Sequence, residues 1–355
     1  MRTGTTMIWI PSRHVIFAQI SILLLFCTVA GYCSSQDQVF DFLMVGDLRG
    51  WPNHLGDDEP AIDVTLVPAR AFGQQVSDEY LYRQSRMYFP RTQRDLMDYD
   101  VLFFNHPRLD FFTPRQQQMM VDFAKTKGKV SIAYPLSNYP DVQIPWVNSP
   151  LCDVFPVDME KFISASPGRV NMWWENRPLM LAKGLPPVFS VFEPTGIFEA
   201  PIYRTCRPCY AKQGATIWIY MIHGPPIEPK APAFISWHYG DSQTWAFGIH
   251  PGEDRPLWQH AGDWWELIFL NVCMYTSGKK TLTFDEALSM RSVKRLLERF
   301  YYTTSIFQGM VEFVTKVGAN TNEAESLMEK CYQIKKEAEE DYLQRRYDVA
   351  REEME

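Results

Sequence analysis

Residues 96–156 constrain the fold more than any other stretch, because they read as one strand–helix–strand unit running into a proline-rich loop. Val101-Leu102-Phe103-Phe104 is a short apolar run behind the acidic turn Met97-Asp98-Tyr99-Asp100, the pattern of a strand buried on both faces. Thr113-Pro114 then starts a helix: the threonine side chain accepts from an orphan N–H, and proline at the first helical position sacrifices no hydrogen bond. Met119, Met120, Phe123 and Ala124 form its apolar stripe, Lys125 and Lys127 suit the negative end of its dipole, and Gly128 stops it. Val130–Tyr134 is the next strand. Two strands joined through a helix lie parallel, so the unit predicts an open α/β sheet.

The rest of the chain adds to this unit. Val39–Val45 reads as the first strand and Ile62–Val67 as the second, ending at Pro68. Residues 77–95 read as helix or surface loop. Five prolines between Pro135 and Pro156 exclude a continuous helix or central strand there and predict a structured excursion. Pro187–Phe192, Ala215–Ile222, Ala233–Tyr239 and Thr244–Ile249 are short β-rich additions, the last two joined by the hairpin-length Gly240-Asp241-Ser242. Leu257–Tyr275 predicts a mostly apolar helix stopped by Gly278. Phe284–Val317 is a long helical stretch. Beyond it Ala324, Leu327, Cys331, Ile334 and Ala338 fall at alternating three- and four-residue steps, a seam for a helical hairpin or short coiled coil with self-association through these helices.

Near the amino terminus, Arg2, Arg13 and His14 precede the apolar run Ile20–Ala30, the layout of a secretory signal peptide or an uncleaved signal anchor. The expected organisation is therefore a signal segment over 1–37, an α/β domain over 38–280 and a helical segment over 281–355. The expected location is outside the cytoplasm, secreted or membrane-anchored, with the membrane touched through the N-terminal segment if it stays uncleaved. A formal charge of −7 and the lack of a lysine/arginine-rich patch argue against nucleic acid as a partner. Aromatics make up 14% of the chain, including eleven tryptophans, and read as core filling or, where they flank Pro and Gly, as a surface for stacking on ligands.

In open α/β sheets ligands bind outside the carboxyl ends of the strands. The residues in that position are Asp47 and Arg49 after the first strand, Asn105, His106 and Arg108 after the central one, Tyr134 and Ser137 after the next, His223 after Ile217–Ile222, and His250 and Glu253 after Thr244–Ile249. Each can equally cap a strand or solvate a loop. Of seven cysteines, Cys206-Arg207-Pro208-Cys209 is the close pair, read as a disulfide, a redox dithiol or a zinc half-site. The half-site lacks a second pair, so no metal is expected, and no cofactor is implied.

The stretch from Asp98-Tyr99-Asp100-Val101 through Thr113-Pro114 to Gly128, together with Trp146–Val157, resembles the class I glutamine amidotransferase-like superfamily, in particular its poorly characterised amidotransferase-like members, over about residues 38–278. The resemblance implies a flavodoxin-like, mostly parallel sheet. Ala246-Phe247-Gly248-Ile249-His250-Pro251-Gly252-Glu253 is similar to the element that carries the catalytic histidine and glutamate in true amidotransferases, with Gly252 inserted. The nucleophile departs from the family. A cysteine elbow flanked by glycines exposes sulfur beside backbone N–H donors, and no Gly-x-Cys-x-Gly occurs here. The expected elbow reads Ile132-Ala133-Tyr134-Pro135-Leu136, where Pro135 also lacks an N–H. The reading is a non-catalytic domain that binds a small molecule or protein, or serves as a scaffold. The alternatives are an active amidotransferase or hydrolase using His250 with an unrecognised nucleophile, and a thiol redox protein using Cys206 and Cys209.

Overall fold

The computed structural model describes residues 39–47, 55, 59–71, 76–134, 140–159, 179–181, 187–191, 197–198, 204–205, 210–222, 230–250 and 255–355. The described strands are β1 Phe40–Asp47, β2 Ile62–Arg70, β3 Val101–Asn105, β4 Val130–Tyr134, β5 Leu179–Leu181, β6 Ile197–Phe198, β7 Arg204–Thr205, β8 Thr216–Ile222, β9 Lys230–Tyr239, β10 Ser242–Phe247 and β11 Ile249–His250. The described helices are α1 Asp78–Tyr88, α2 Gln93–Met97, α3 Pro114–Lys125, α4 Pro140–Val147, α5 Arg255–Thr276, α6 Phe284–Lys316, α7 Asn322–Leu343 and α8 Tyr347–Met354.

The fold is mixed α/β. Nine strands form one sheet in the order β2-β1-β3-β4-β10-β9-β8-β5-β6. The first five are mutually parallel, and β9, β8, β5 and β6 extend the sheet antiparallel. The central unit forms as its residues dictate. Thr113 Oγ1 caps α3 by accepting from the Gln116 N–H, and Gln116 returns the bond to the Thr113 N–H, a full capping box. Successive residues of β3 enter different cores. Phe103 packs edge-on to Phe269 of α5, while Phe104 packs against Trp146 and Phe155 on the opposite face. Both faces of the sheet are thus covered, as the unbroken apolar run requires.

One core, built on Phe42, Phe103, Trp245 and α5, also takes in Ala287, Val293 and Leu297 of α6, Ala338 and Tyr342 of α7 and Ala350 of α8. The packing therefore continues across residue 280, and residues 40–355 form one unit. Trp146, Trp218 and Trp245 are fully buried, so at these three positions the aromatics fill the interior.

Several elements differ from expectation. β2 continues through Pro68 to Arg70, with Pro68 level with Gly46. It is the edge strand of the sheet, where a missing N–H is tolerated. The proline-rich excursion contains a helix, α4, with Pro140 starting it and Pro145 inside it. Pro187–Phe189 is a 3-10 turn rather than a strand, held by the fully buried Asn271, which donates to the Val188 carbonyl at 3.0 Å. Gly240 and Asp241 close the β9–β10 hairpin. Gly240 has φ +63 and lies against Lys125, so a Cβ there would approach the Lys125 backbone to 2.9 Å.

Candidate functional site

The carboxyl ends of β1, β2 and β3 are drawn into one polar row. Gly46 lies level with Asn105 and has φ +147; a Cβ at this position would sit 1.8 Å from the Asn105 carbonyl oxygen. Only glycine permits that approach. One residue on, the register with β2 shifts, which places Asp47 beside Arg70. Both are buried. The fully buried Asn105 donates from Nδ2 to the Asp47 carbonyl at 3.2 Å, fastening the β3 end to the β1 end, and is level with Tyr134 of β4 on its other side.

His106 follows directly with φ 50, a left-handed backbone that costs a side-chain-bearing residue about 1–2 kcal/mol. Such a conformation persists only where its surroundings impose it, and it collects at functional sites. The surroundings are visible. The Arg108 N–H donates to the Ala69 carbonyl at 3.3 Å, tying the loop to β2. The Arg108 guanidinium binds both carboxylate oxygens of Asp110 at 3.3 and 2.7 Å, reaches Asp78 at 2.6 Å in the first turn of α1, and lies 4.5 Å over the Phe111 ring. Its pKa is raised by the Asp110 hydrogen bonds, against the effect of burial, with Asp78 adding to the rise. Arg108 is thus a clamp that shapes the His106 loop, its charge matched by two carboxylates.

Of the sequence-predicted residues, Asp47 and Asn105 are joined by a hydrogen bond, His106 follows Asn105 directly, and Arg108 shapes the same loop. Tyr134 is level with Asn105 in the backbone. His250 lies in the two-residue β11, paired with Arg204 of β7 in a ladder separate from the main sheet. Arg49, Ser137, His223, Glu253, Cys206 and Cys209 lie outside the described residues, as does the segment 1–37. Arg70 was missed because the strand was expected to stop at Pro68, two residues short of it.

The described cysteines occupy other environments. Cys273 is buried inside α5, and burial pushes its thiol well up from the ordinary range. Cys152 is half-buried in the 3-10 turn Pro150–Asp153, where Lys212 Nζ donates to its carbonyl at 2.8 Å. Burial lowers the Lys212 pKa, and that ammonium lies 4.9 Å over Trp237. Cys331 is exposed on α7.

At the opposite end of the strands, a concavity of about 430 Å³ opens at the amino-terminal ends of β1 and β2 and is lined by Asp41, Asp63, Asp95, Asp98, Tyr88 and Tyr99 among others. Burial and the neighbouring Asp100 and Asp63 raise the Asp41 pKa, with Lys129 opposing them. No group of three or more His, Cys, Asp or Glu among the described residues is arranged to hold a metal ion.

No family model and no curated protein matches the chain. Solved structures do. One is a cytoplasmic protein from Salmonella typhimurium LT2, 16% identical with a TM-score of 0.47, aligned over 68% of this chain and 100% of its own. A second cytoplasmic protein from Salmonella typhimurium is 12% identical with a TM-score of 0.45, over 66% and 98% of the two chains. Agd3, described as a novel carbohydrate deacetylase, is 8% identical with a TM-score of 0.40, over 67% of this chain and 32% of its own. Two of these neighbours are named as cytoplasmic proteins, which stands against the expectation of a secreted or membrane-anchored protein, and that expectation is dropped. No helix among the described residues is long and apolar enough to cross a membrane.

Proposed function

We propose that the chain carries a flavodoxin-like, glutamine amidotransferase-like domain that binds a small molecule or protein, or acts as a scaffold, without hydrolysing glutamine. The observation that carries this reading is where the cysteines stand. The segment after β4, Tyr134-Pro135-Leu136-Ser137-Asn138-Tyr139, contains none, and Cys152, Cys273 and Cys331 sit in a 3-10 turn, inside one helix and on the surface of another. Glutamine hydrolysis through a thioester needs a thiolate in contact with a histidine and beside N–H donors.

The flavodoxin-like part of the reading is supported by the order of the parallel strands, β2-β1-β3-β4-β10, which follows the 2-1-3-4-5 winding. Ligand binding is supported by Asp47, Arg70, Asn105 and the strained His106 at the carboxyl ends of those strands. The test is glutamate release from glutamine by the purified chain. The expected rate is background, unchanged by His250→Ala and by alkylation of Cys152. Steady turnover lost on either treatment would show that a displaced active site operates.

A further inference from the structure

The far half of the α6–α7 hairpin leaves a large apolar surface open. Beyond Leu297 no residue of α6 is buried, yet this half of the helix is rich in large apolar side chains. Tyr302 is 72% exposed, Val317 69%, Phe313 66%, Met310 60% and Ile306 50%. Steps of four, four, three and four residues from Tyr302 to Val317 place these on one stripe.

The stripe is not the one used against α7. That contact is made by Phe300, edge-on to Tyr332 at 5.8 Å, and by Tyr301, whose ring lies under Lys335 Nζ at 4.5 Å and whose hydroxyl reaches Glu339 at 3.4 Å. On α7 the exposed Leu327, Cys331 and Ile334 lie about 90° round from that contact line. Because the two helices run in opposite senses, this turn brings them to the same side as Phe307, Met310 and Val314. The sequence seam on α7 is therefore divided: Leu327, Cys331 and Ile334 face outward, continuous with the free face of α6, while Ala338 at its end is buried in the core.

We infer that this face is the surface on which a second copy of the chain docks, two hairpins closing into a four-helix bundle. Taking ~150–250 Å² for a large side chain, the exposures above leave roughly 500–800 Å² of apolar area open per chain, to which the exposed Phe307, Leu327 and Ile334 add, enough for the ~800 Å² that one partner contributes to a standard stable interface. An isologous pairing makes the face its own complement. Residues 300–317 carry one acid, Glu312, and one base, Lys316, so two copies meet there without net repulsion although the whole chain carries −7. Glu323, Glu325, Glu329 and Lys330 on α7 are exposed and supply a polar rim.

The test is sedimentation of the full chain over roughly 1–100 µM, a range that brackets micromolar association. The expected species is a dimer of the 41.4 kDa chain. The double variant Ile306→Glu/Phe313→Glu should sediment as a monomer with unchanged helicity and a melting temperature that no longer depends on concentration, since both side chains are already exposed within one chain. Maleimide labelling of Cys331, read by peptide mapping, should slow as the wild-type concentration rises and not in the variant. A monomeric wild type would overturn the proposal, as would a variant that remains dimeric. So would a monomeric wild type that uses the same face to bind lipid vesicles.

Discussion

The Tyr342 hydroxyl donates to both carboxylate oxygens of Glu59, at 2.9 and 2.7 Å, joining the end of α7 to the turn before β2. Both residues are buried, and Glu59 also accepts from the Ala61 N–H at 3.1 Å. This contact, spanning 283 positions, anchors the C-terminal helices to the sheet.

Removing the hydroxyl takes one donor from a buried carboxylate, so Tyr342→Phe should destabilise by about 1–3 kcal/mol. Glu59→Gln combined with Tyr342→Phe should cost less than the sum of the two single changes, measurable by urea denaturation. Burial and then the Glu59 charge raise the Tyr342 pKa well above its ordinary value. A raised folded pKa means that this stability is complete below the unfolded value near 10 and is lost only as pH climbs toward the folded one. Tyrosinate absorbance from Tyr342 should therefore appear only with unfolding. Early titration of this tyrosine in the native protein would contradict the contact.

A second buried pair joins α5 to α6: Lys294 Nζ bonds Glu266, and both side chains are almost wholly enclosed. Lys294→Met should cost about 3–5 kcal/mol by leaving Glu266 charged in the core, whereas Lys294→Met with Glu266→Leu should recover most of that loss. A double variant no more stable than the single one would mean that the pair also holds the two helices in register.

These two contacts mark where sequence reasoning ran out. The local signals were legible: Thr113-Pro114 gave a capped helix start, Gly278 a stop with φ +71, and Val101–Phe104 a strand buried on both sides. Asn105 and His106 were found by position alone, because a residue just past a buried strand has few places to go. Glu59 and Tyr342 give no such sign, since each is an ordinary residue until a fold brings them together. Pro68 misled by its general aversion to strands, which an edge strand relaxes, and Arg70 was lost with it. The stripe on α7 was visible, but periodicity reports only that a stripe exists and not what covers it.

Gly46 and Gly128 both have positive φ, at +147 and +82, but only Gly46 is crowded. Gly128→Ala meets nothing within 4 Å and should cost about 1–2 kcal/mol, the backbone strain alone. Gly46→Ala would drive a methyl into the Asn105 carbonyl and should cost about 3 kcal/mol or more, separating β1 from β3 at the site. Equal losses from the two changes, compared by thermal melting, would show that the strand ends move apart easily.

At His106 the prediction has the opposite sign. Glycine at φ 50 relieves the strain, so His106→Gly should raise stability by roughly 0.5–1 kcal/mol. A fall in melting temperature would identify the imidazole as a structural fastening of the loop rather than a group held ready for a ligand.

The acidic concavity gives a prediction in pH. Asp41 is pushed up first by burial, then by Asp100 and Asp63, while Lys129 pulls it down. With the folded pKa above the unfolded one, the protonated form is favoured by folding. The stabilisation is fully present below the unfolded value and disappears as pH rises through the folded one. At neutral pH the ionised Asp41 therefore weakens the fold. Because the side chain is largely open to solvent, screening reduces the effect to a few tenths of a kcal/mol. Asp41→Asn should thus raise the urea midpoint slightly at pH 7 and low ionic strength. The gain should shrink in about 1 M salt, where the Debye length falls to ~3 Å, and vanish near pH 3. A gain that persists unchanged at pH 3 would have to come from packing or hydrogen bonding, because the carboxylate charge is absent there.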